Sequence, residues 1–218
     1  VTVGFHGPAF SATEKEYAAL DFVCDLLFGE TSDLYRRLVE REQVVDQLFP
    51  YLPSSQDPGL GPIMARVKKP EDAAYVRDAI TATLAEAVAK PIPSKRLEDA
   101  KSHARYAFVR TLDNSESIAS TLARFVRFQR RYDTLNELFE TYDACTAEDL
   151  LAVARKYVTP ANLVVATLSH EALPDAMAVA PTLAAPVRLA SELKVVSLPT
   201  PSPLVRFKLL FGTGCSED

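Results

Sequence analysis

Three histidines, three cysteines and a band of arginines are the residues through which this 218-residue chain could do chemistry. A zinc site is built most simply from two imidazoles four residues apart on one helix. His6, His103 and His170 lie more than 60 residues from one another, and neither H-E-x-x-H nor H-x-x-E-H occurs. His170 precedes Glu171 at the end of a strand-like run and reads as a loop histidine. His103 stands beside Arg105 on a helical stretch, where an exposed or partner-facing role suits it better than ligation. His6 falls between an apolar strand and Gly7-Pro8, and its role is open. Cys24, Cys145 and Cys215 are widely spaced and odd in number, so they make neither a C-x-x-C site nor a disulfide framework. Cys24 sits among Leu20, Val23, Leu27 and Phe28 and reads as a buried apolar residue. No G-x-S-x-G elbow is present, and no cysteine has a histidine near it in sequence. Assembly from distant residues stays open, but the sequence nominates no catalytic, cofactor-binding or metal-ligating residue.

The arginines are unevenly placed. Lys95 to Arg131 holds nine Lys/Arg against four Asp/Glu, although the whole chain carries a net charge of −5. Arg124, Arg127 and Arg130 or Arg131 recur on one helical face, with Leu122, Phe125 and Phe128 opposite. Two readings follow: a binding face for an anionic ligand on helix 116–131, or a solvated or ion-paired surface. The acidic pI near 5.3 argues against a dedicated polyanion binder. Only 7 glycines occur, and none forms a dinucleotide-binding or P-loop fingerprint. With 48% hydrophobic and 24% charged residues the composition is that of a globular domain. No apolar run approaches the roughly 18–20 residues that span a bilayer.

The elements that must position these residues can be read from periodicity. Val1-Thr-Val-Gly-Phe5 is a strand ending at Gly7-Pro8. Ser11-Ala-Thr-Glu14 has the pattern of a capping box, and Tyr17, Leu20, Val23, Cys24, Leu27 and Phe28 follow at helical spacing up to Gly29. A short helix is predicted over Ser32–Glu42, a strand over Val44–Leu52, a turn-rich loop through Pro53–Gly59 and a returning strand over Pro62–Val67. Helices follow over Glu71–Lys90, from a Ser94 cap to Leu112, after Asp113-Asn-Ser115 to near Arg131, over Leu135–Tyr142, and after Thr146-Ala-Glu-Asp149 to Tyr157. Leu163–Leu168 is a β-branched strand. The order predicts an α+β fold (an α/β sandwich) in which helices cover a mostly antiparallel sheet. Six of the 15 prolines then fall between Pro174 and Pro203. The expected organisation is one domain at 1–170, a Pro/Ala-rich linker at 171–191, and at 192–218 the first hairpin of a following domain. Val1–Phe5 reads as the middle of a strand and Gly212–Asp218 follows straight after an apolar one, so both ends read as cut.

One segment carries more than composition. Thr31-Ser-Asp-Leu-Tyr-Arg-Arg-Leu-Val-Glu-Arg-Glu-Gln-Val-Val-Asp-Gln-Leu48 resembles the S-x-L-x-x-x-L-R-E-K-x-x-x-x-Y stretch of the insulinase/pitrilysin/mitochondrial processing peptidase (M16) family of zinc metallopeptidases. Val1–Pro8 resembles that family's opening inner-domain strand, Asp57-Pro-Gly59 its mid-hairpin turn and Ala161–Leu168 its closing strand. Leu204–Asp218, with Gly-Thr-Gly-Cys-Ser-Glu, resembles the first strand and G-[ST]-x-x-[ED] turn of the next half.

The resemblance implies a LuxS/MPP-like metallohydrolase fold and a parent built of two halves that close around a peptide. In such enzymes zinc sits on H-x-x-E-H and a distal glutamate, and the opposite half supplies an arginine and a tyrosine to the substrate. At the matching positions stand Val39, which cannot donate, and Asp46, which would repel an oxyanion. The expected role is a non-catalytic inner domain (M16 C-terminal type) of a zinc metalloendopeptidase, with the zinc in the parent but not in this chain. Its partners would be the zinc-bearing domain, the opposite half and, in the parent, a peptide substrate. Neither nucleic acid nor membrane is expected, and the terminal hairpin is free to pair with a second copy. A structural subunit without proteolysis is the alternative. The chain alone is expected to be inactive, and the activity of the parent is open. Bacterial relatives are often exported, which points to the periplasm, with the cytoplasm open.

Overall fold

The computed structural model describes residues 1–178. The rest of the expected linker and the hairpin at 192–218 lie outside the described residues. The chain clusters into two units, Val1–Ala185 and Pro186–Asp218, and all elements named here belong to the first.

Four strands form one antiparallel sheet: β1 (Thr2–His6), β2 (Val45–Pro50), β3 (Leu60–Val67) and β4 (Leu163–Ala166), in the order β2-β3-β1-β4. The hairpin β2–β3 pairs Leu48 with Ala65, while β1 lies between β3 and β4, with Val3 opposite Ile63 on one side and Val165 on the other. Period-2 alternation sends Val3, Phe5, Ile63 and Ala65 into the core. Burying the side chain of Val3, Phe5 or Ile63 stabilises the domain by about 1.5–3 kcal/mol each.

The helices are α1 (Lys15–Phe28), α2 (Asp33–Tyr35, continued by a π-helical turn over Arg36–Arg41), α3 (Ala73–Ala89), α4 (Ser94–Arg110), α5 (Ser115–Gln129), α6 (Thr134–Ala144), α7 (Ala147–Tyr157) and α8 (Asp175–Ala178). Helix α3 packs on β1 and β3, and α1 packs on β2 while also contacting α4, α6 and α7. Nine of its 14 residues are buried, as a helix enclosed on most sides requires. The α+β reading of the sequence therefore holds, with five helices between β3 and β4.

Several local expectations are corrected. The Ser11 hydroxyl accepts from the Glu14 N–H at 2.9 Å, but the helix starts only at Lys15 with Glu14 as its N-cap, so this is a turn ahead of the helix and no capping box. Ser94 is the first helical residue of α4 and Pro93 the cap, without a side-chain bond. The helix expected over Ser32–Glu42 is capped by Ser32, as Tyr35 N–H to Ser32 Oγ is 3.1 Å, but it widens to a π-turn after Tyr35. A full capping box forms instead at Thr146 and Asp149. Within the expected linker, α8 gives a turn of helix whose Ala176 carbonyl accepts from the buried Arg77 guanidinium at 2.9 Å.

Candidate functional site: the open face of the sheet

The strand alternation that buries one face must present the other. Thr2, Gly4 and His6 of β1, Leu60, Pro62, Met64 and Arg66 of β3, and Val164 and Ala166 of β4 are the alternate residues on that face. On β2 the register shifts between Val45 and Gln47. This bulge lets Asp46 and Gln47 both stay exposed between buried Val45 and Leu48, and it sets Phe49 outward. The result is an apolar surface: Phe49, Leu60, Met64 and Val164 are each 40–53% exposed. At its centre a Cβ on Gly4 would stand 3.0 Å from Cδ1 of Leu60, whose exposed side chain lies across the glycine. Exposed apolar area of this kind marks a surface that meets something.

A cleft of about 520 Å³ lies at one end of this face, lined by Gln47, Phe49, Met64, Arg66, Lys68 and His170 among others. Arg66 Nε donates to Asp46 Oδ1 at 2.7 Å, and this guanidinium holds the Asp46 carboxyl below the usual carboxylate range. Asp46 is thus an acceptor already engaged. Val39 packs, partly buried, against the hydrophobic core. At the two positions where the resemblance calls for donors, this domain has a core contact and an ion pair.

The residues singled out by type are not brought together. His6 ends β1 and is exposed, His103 is exposed on α4, and His170 follows β4 at the rim of the cleft. Among the described residues no group of three His, Cys, Asp or Glu could hold a metal ion. A zinc ion of the kind the resemblance implies therefore does not fit these residues. Cys24 and Cys145 are buried, as expected for Cys24. Burial pushes both thiols upward, Cys145 to about 11 with the Asp149 charge adding to it, which leaves neither a ready thiolate nucleophile. Cys215 lies outside the described residues.

The arginines of α5 and of the turn that follows it are partly consumed inside the domain. Arg127 donates to the Ser54 carbonyl at 2.7 Å and lies 4.6 Å from the Phe128 ring centre, and Arg131 pairs with Glu137 at 2.6 Å. Phe125 and Phe128 turn to Phe10, with ring centres 6.2 and 4.3 Å away. Arg130 takes φ 54° where the helix ends. Two residues that sequence reasoning passed over matter more to the frame. Asn162 donates to the His6 and Tyr157 carbonyls at 2.9 and 2.6 Å and ties β1 to the chain entering β4. Tyr142 of α6 donates to Asp21 of α1 at 2.6 Å.

Comparison with known proteins accords with this geometry. Residues 1–103 match the family model described as the peptidase M16 inactive domain. No curated protein matches the sequence. Among solved structures, a protease from Helicobacter pylori superposes with a TM-score of 0.65 at 24% identity, over 74% of this chain and 38% of that one. The inactive peptidase domain of a protein described as a zinc protease in Bordetella parapertussis gives 0.62 at 21% identity, over 75% of this chain and 88% of that one. A chain of complex III2 from Candida albicans gives 0.61 at 18% identity, over 75% and 40%. These identities establish a shared fold, and the chain spans less than two fifths of the Helicobacter protease. Residues 1–103 thus match the peptidase M16 inactive-domain model, and the domain shares its fold with the inactive peptidase domain from Bordetella parapertussis.

Proposed function

We propose that this chain is the non-catalytic inner domain of an M16-type zinc metalloendopeptidase, forming part of the wall of a peptide-degradation chamber, with the zinc site outside this chain. The observation that carries the reading is the open apolar face of the sheet, built around Phe49, Leu60, Met64 and Val164. Helices cover the other face, so this one is left to meet a peptide or a facing domain. Apolar residues with few charges suit a wall that tolerates many peptide sequences, because dispersion and desolvation do not depend on a particular side-chain hydrogen bond. Val39 and Asp46 support a role without chemistry: neither offers a free donor to a tetrahedral oxyanion. The partners of this reading are a zinc-bearing M16 domain and an opposite half.

The experiment uses the parent protein assembled with its zinc-bearing domain. Replacing Leu60 and Met64 together by Ser, on side chains that are about half exposed, should raise KM for long peptides several-fold while zinc content stays unchanged. Unchanged kinetics on every peptide would overturn the chamber-wall role. An assembled parent that binds no zinc and cleaves nothing would instead establish the structural-subunit alternative.

A further inference from the structure

The helical side of the domain holds a second site that the M16 reading does not use. A cleft of about 380 Å³ opens between α1, α4, α5 and α6 and the end of β2. Its walls are aromatic and aliphatic: Phe22, Leu52, Phe108, Phe125, Leu138 and Phe139. The rings are mutually braced, with Phe22 to Tyr142 at 5.0 Å, Phe108 to Phe139 at 4.9 Å and Phe139 to Tyr142 at 5.9 Å.

Into this apolar space one face of α1 sets acids. Asp21, Cys24 and Asp25 are spaced i, i+3 and i+4, so they share a face. Asp21 receives one hydrogen bond, from the Tyr142 hydroxyl at 2.6 Å, and neither Asp21 nor Asp25 has a Lys or Arg within ion-pair distance among the described residues. The groups facing them are Tyr17 and Cys24 on α1, Tyr142 on α6 and His103 on α4, while Arg36, Arg96 and Asp99 share an adjoining cleft with Asp25. Tyr and Cys are neutral at pH 7, and only His103 opposes the rise of the Asp25 carboxyl, which leaves Asp21 in the aromatic-walled cleft and Asp25 at its exposed rim without an ion pair among the described residues.

From this geometry we infer that the cleft between α1, α4 and α6 binds a small primary amine with an aromatic or aliphatic body, its ammonium on Asp21 and Asp25 and its body among the phenylalanines. The complementarity is twofold. Two negative charges select a cation, and aromatic faces both take up apolar area and attract an adjacent ammonium. Burial raises the Asp21 carboxyl to about 6, against the opposing Tyr142 bond and with Asp25 adding to the rise. An ammonium supplies the counter-charge that would lower it again.

The test titrates the full 218-residue chain with 2-phenylethylamine and with its neutral analogue 2-phenylethanol, following backbone amide shifts. The amine should bind at least about ten-fold more tightly at pH 7, with shifts centred on Asp21, Ala104, Phe139 and Tyr142. Its affinity should fall about ten-fold from pH 7 to pH 5, as protonation near pH 6 removes the charge on Asp21. Tyr142→Phe removes the bond that favours the carboxylate, so the midpoint of that loss should move to higher pH, a change that a packing role alone would not cause. Asp25→Asn, on the exposed rim, should weaken the amine and leave the alcohol unchanged. Equal affinity for amine and alcohol, a pH-independent amine affinity, or shifts centred elsewhere would overturn the site. A lysyl dipeptide that outcompetes phenylethylamine would overturn the free amine as occupant.

Discussion

Replacing Asp21 by Asn should stabilise the domain at neutral and alkaline pH. The side chain stands half-buried on α1 beside Phe22 and Cys24, and the Tyr142 hydroxyl donates a hydrogen bond to it. Burial raises its carboxyl from 3.8 to about 6. A raised folded-state value means that the folded chain holds the proton more tightly than the unfolded chain. Stability therefore falls as pH rises from about 4 to about 6, and the full cost of the ionised form is present above that window. At about 1.4 kcal/mol per ten-fold, the rise is worth at most about 3 kcal/mol. The carboxylate still reaches the cleft and its water, which screens it, so about 1–2 kcal/mol is the expected gain. Asn keeps an acceptor for Tyr142 and removes the charge. Urea unfolding of the 218-residue chain from pH 4 to pH 8 measures it. The Asn variant should be more stable by that amount at pH 8, with the difference shrinking toward zero at pH 4. An Asn variant equal to or weaker than the unsubstituted chain at pH 8 would mean that the buried charge costs nothing, the opposite of this expectation.

Three further outcomes can be checked by the same unfolding method. Phe28→Ala empties a fully buried position where α1 ends and should cost about 3–5 kcal/mol. Thr146→Ala removes the hydroxyl that accepts from the Asp149 N–H at the start of α7 and should cost about 1 kcal/mol, with Thr146→Ser restoring most of it. Asn162→Ala removes the two carbonyl contacts that join β1 and α7 to the start of β4. A cost of about 1–3 kcal/mol is expected, together with faster amide exchange at Val164 and Val165 than at Ile63.

The element order was legible because period and punctuation agreed in most segments. Val3 and Phe5 alternate with polar or small residues, Gly29 stops α1, and Asn114 and Thr146 stand where caps form. The misread starts have local causes. Ser11 does accept a backbone bond, but from a turn that ends one residue before the helix, and the S-x-x-E spacing alone does not distinguish the two. The π-turn over Arg36–Arg41 depends on how Leu34 and Leu38 reach the core, which spacing does not show.

The open face was less visible, although it left a signal. Leu48 and Phe49, Ile63 and Met64, and Val164 and Val165 put apolar residues on both parities of three strands. A strand that faces helices on one side and water on the other has no need of that. The bulge was written as two consecutive polar residues, Asp46 and Gln47, between the core residues Val45 and Leu48. The Asp21–Tyr142 pair could not be read at all, since its members stand 121 residues apart.

In the proposed role this domain supplies surface and leaves the metal chemistry to another part of the parent. Its histidines lie on β1, on α4 and after β4, and no metal-holding group forms among the described residues. The most direct measurement is the zinc content of the purified 218-residue chain after loading with excess zinc and gel filtration. Far less than one zinc per chain is expected, whereas about one tightly held zinc per chain would contradict the proposed role.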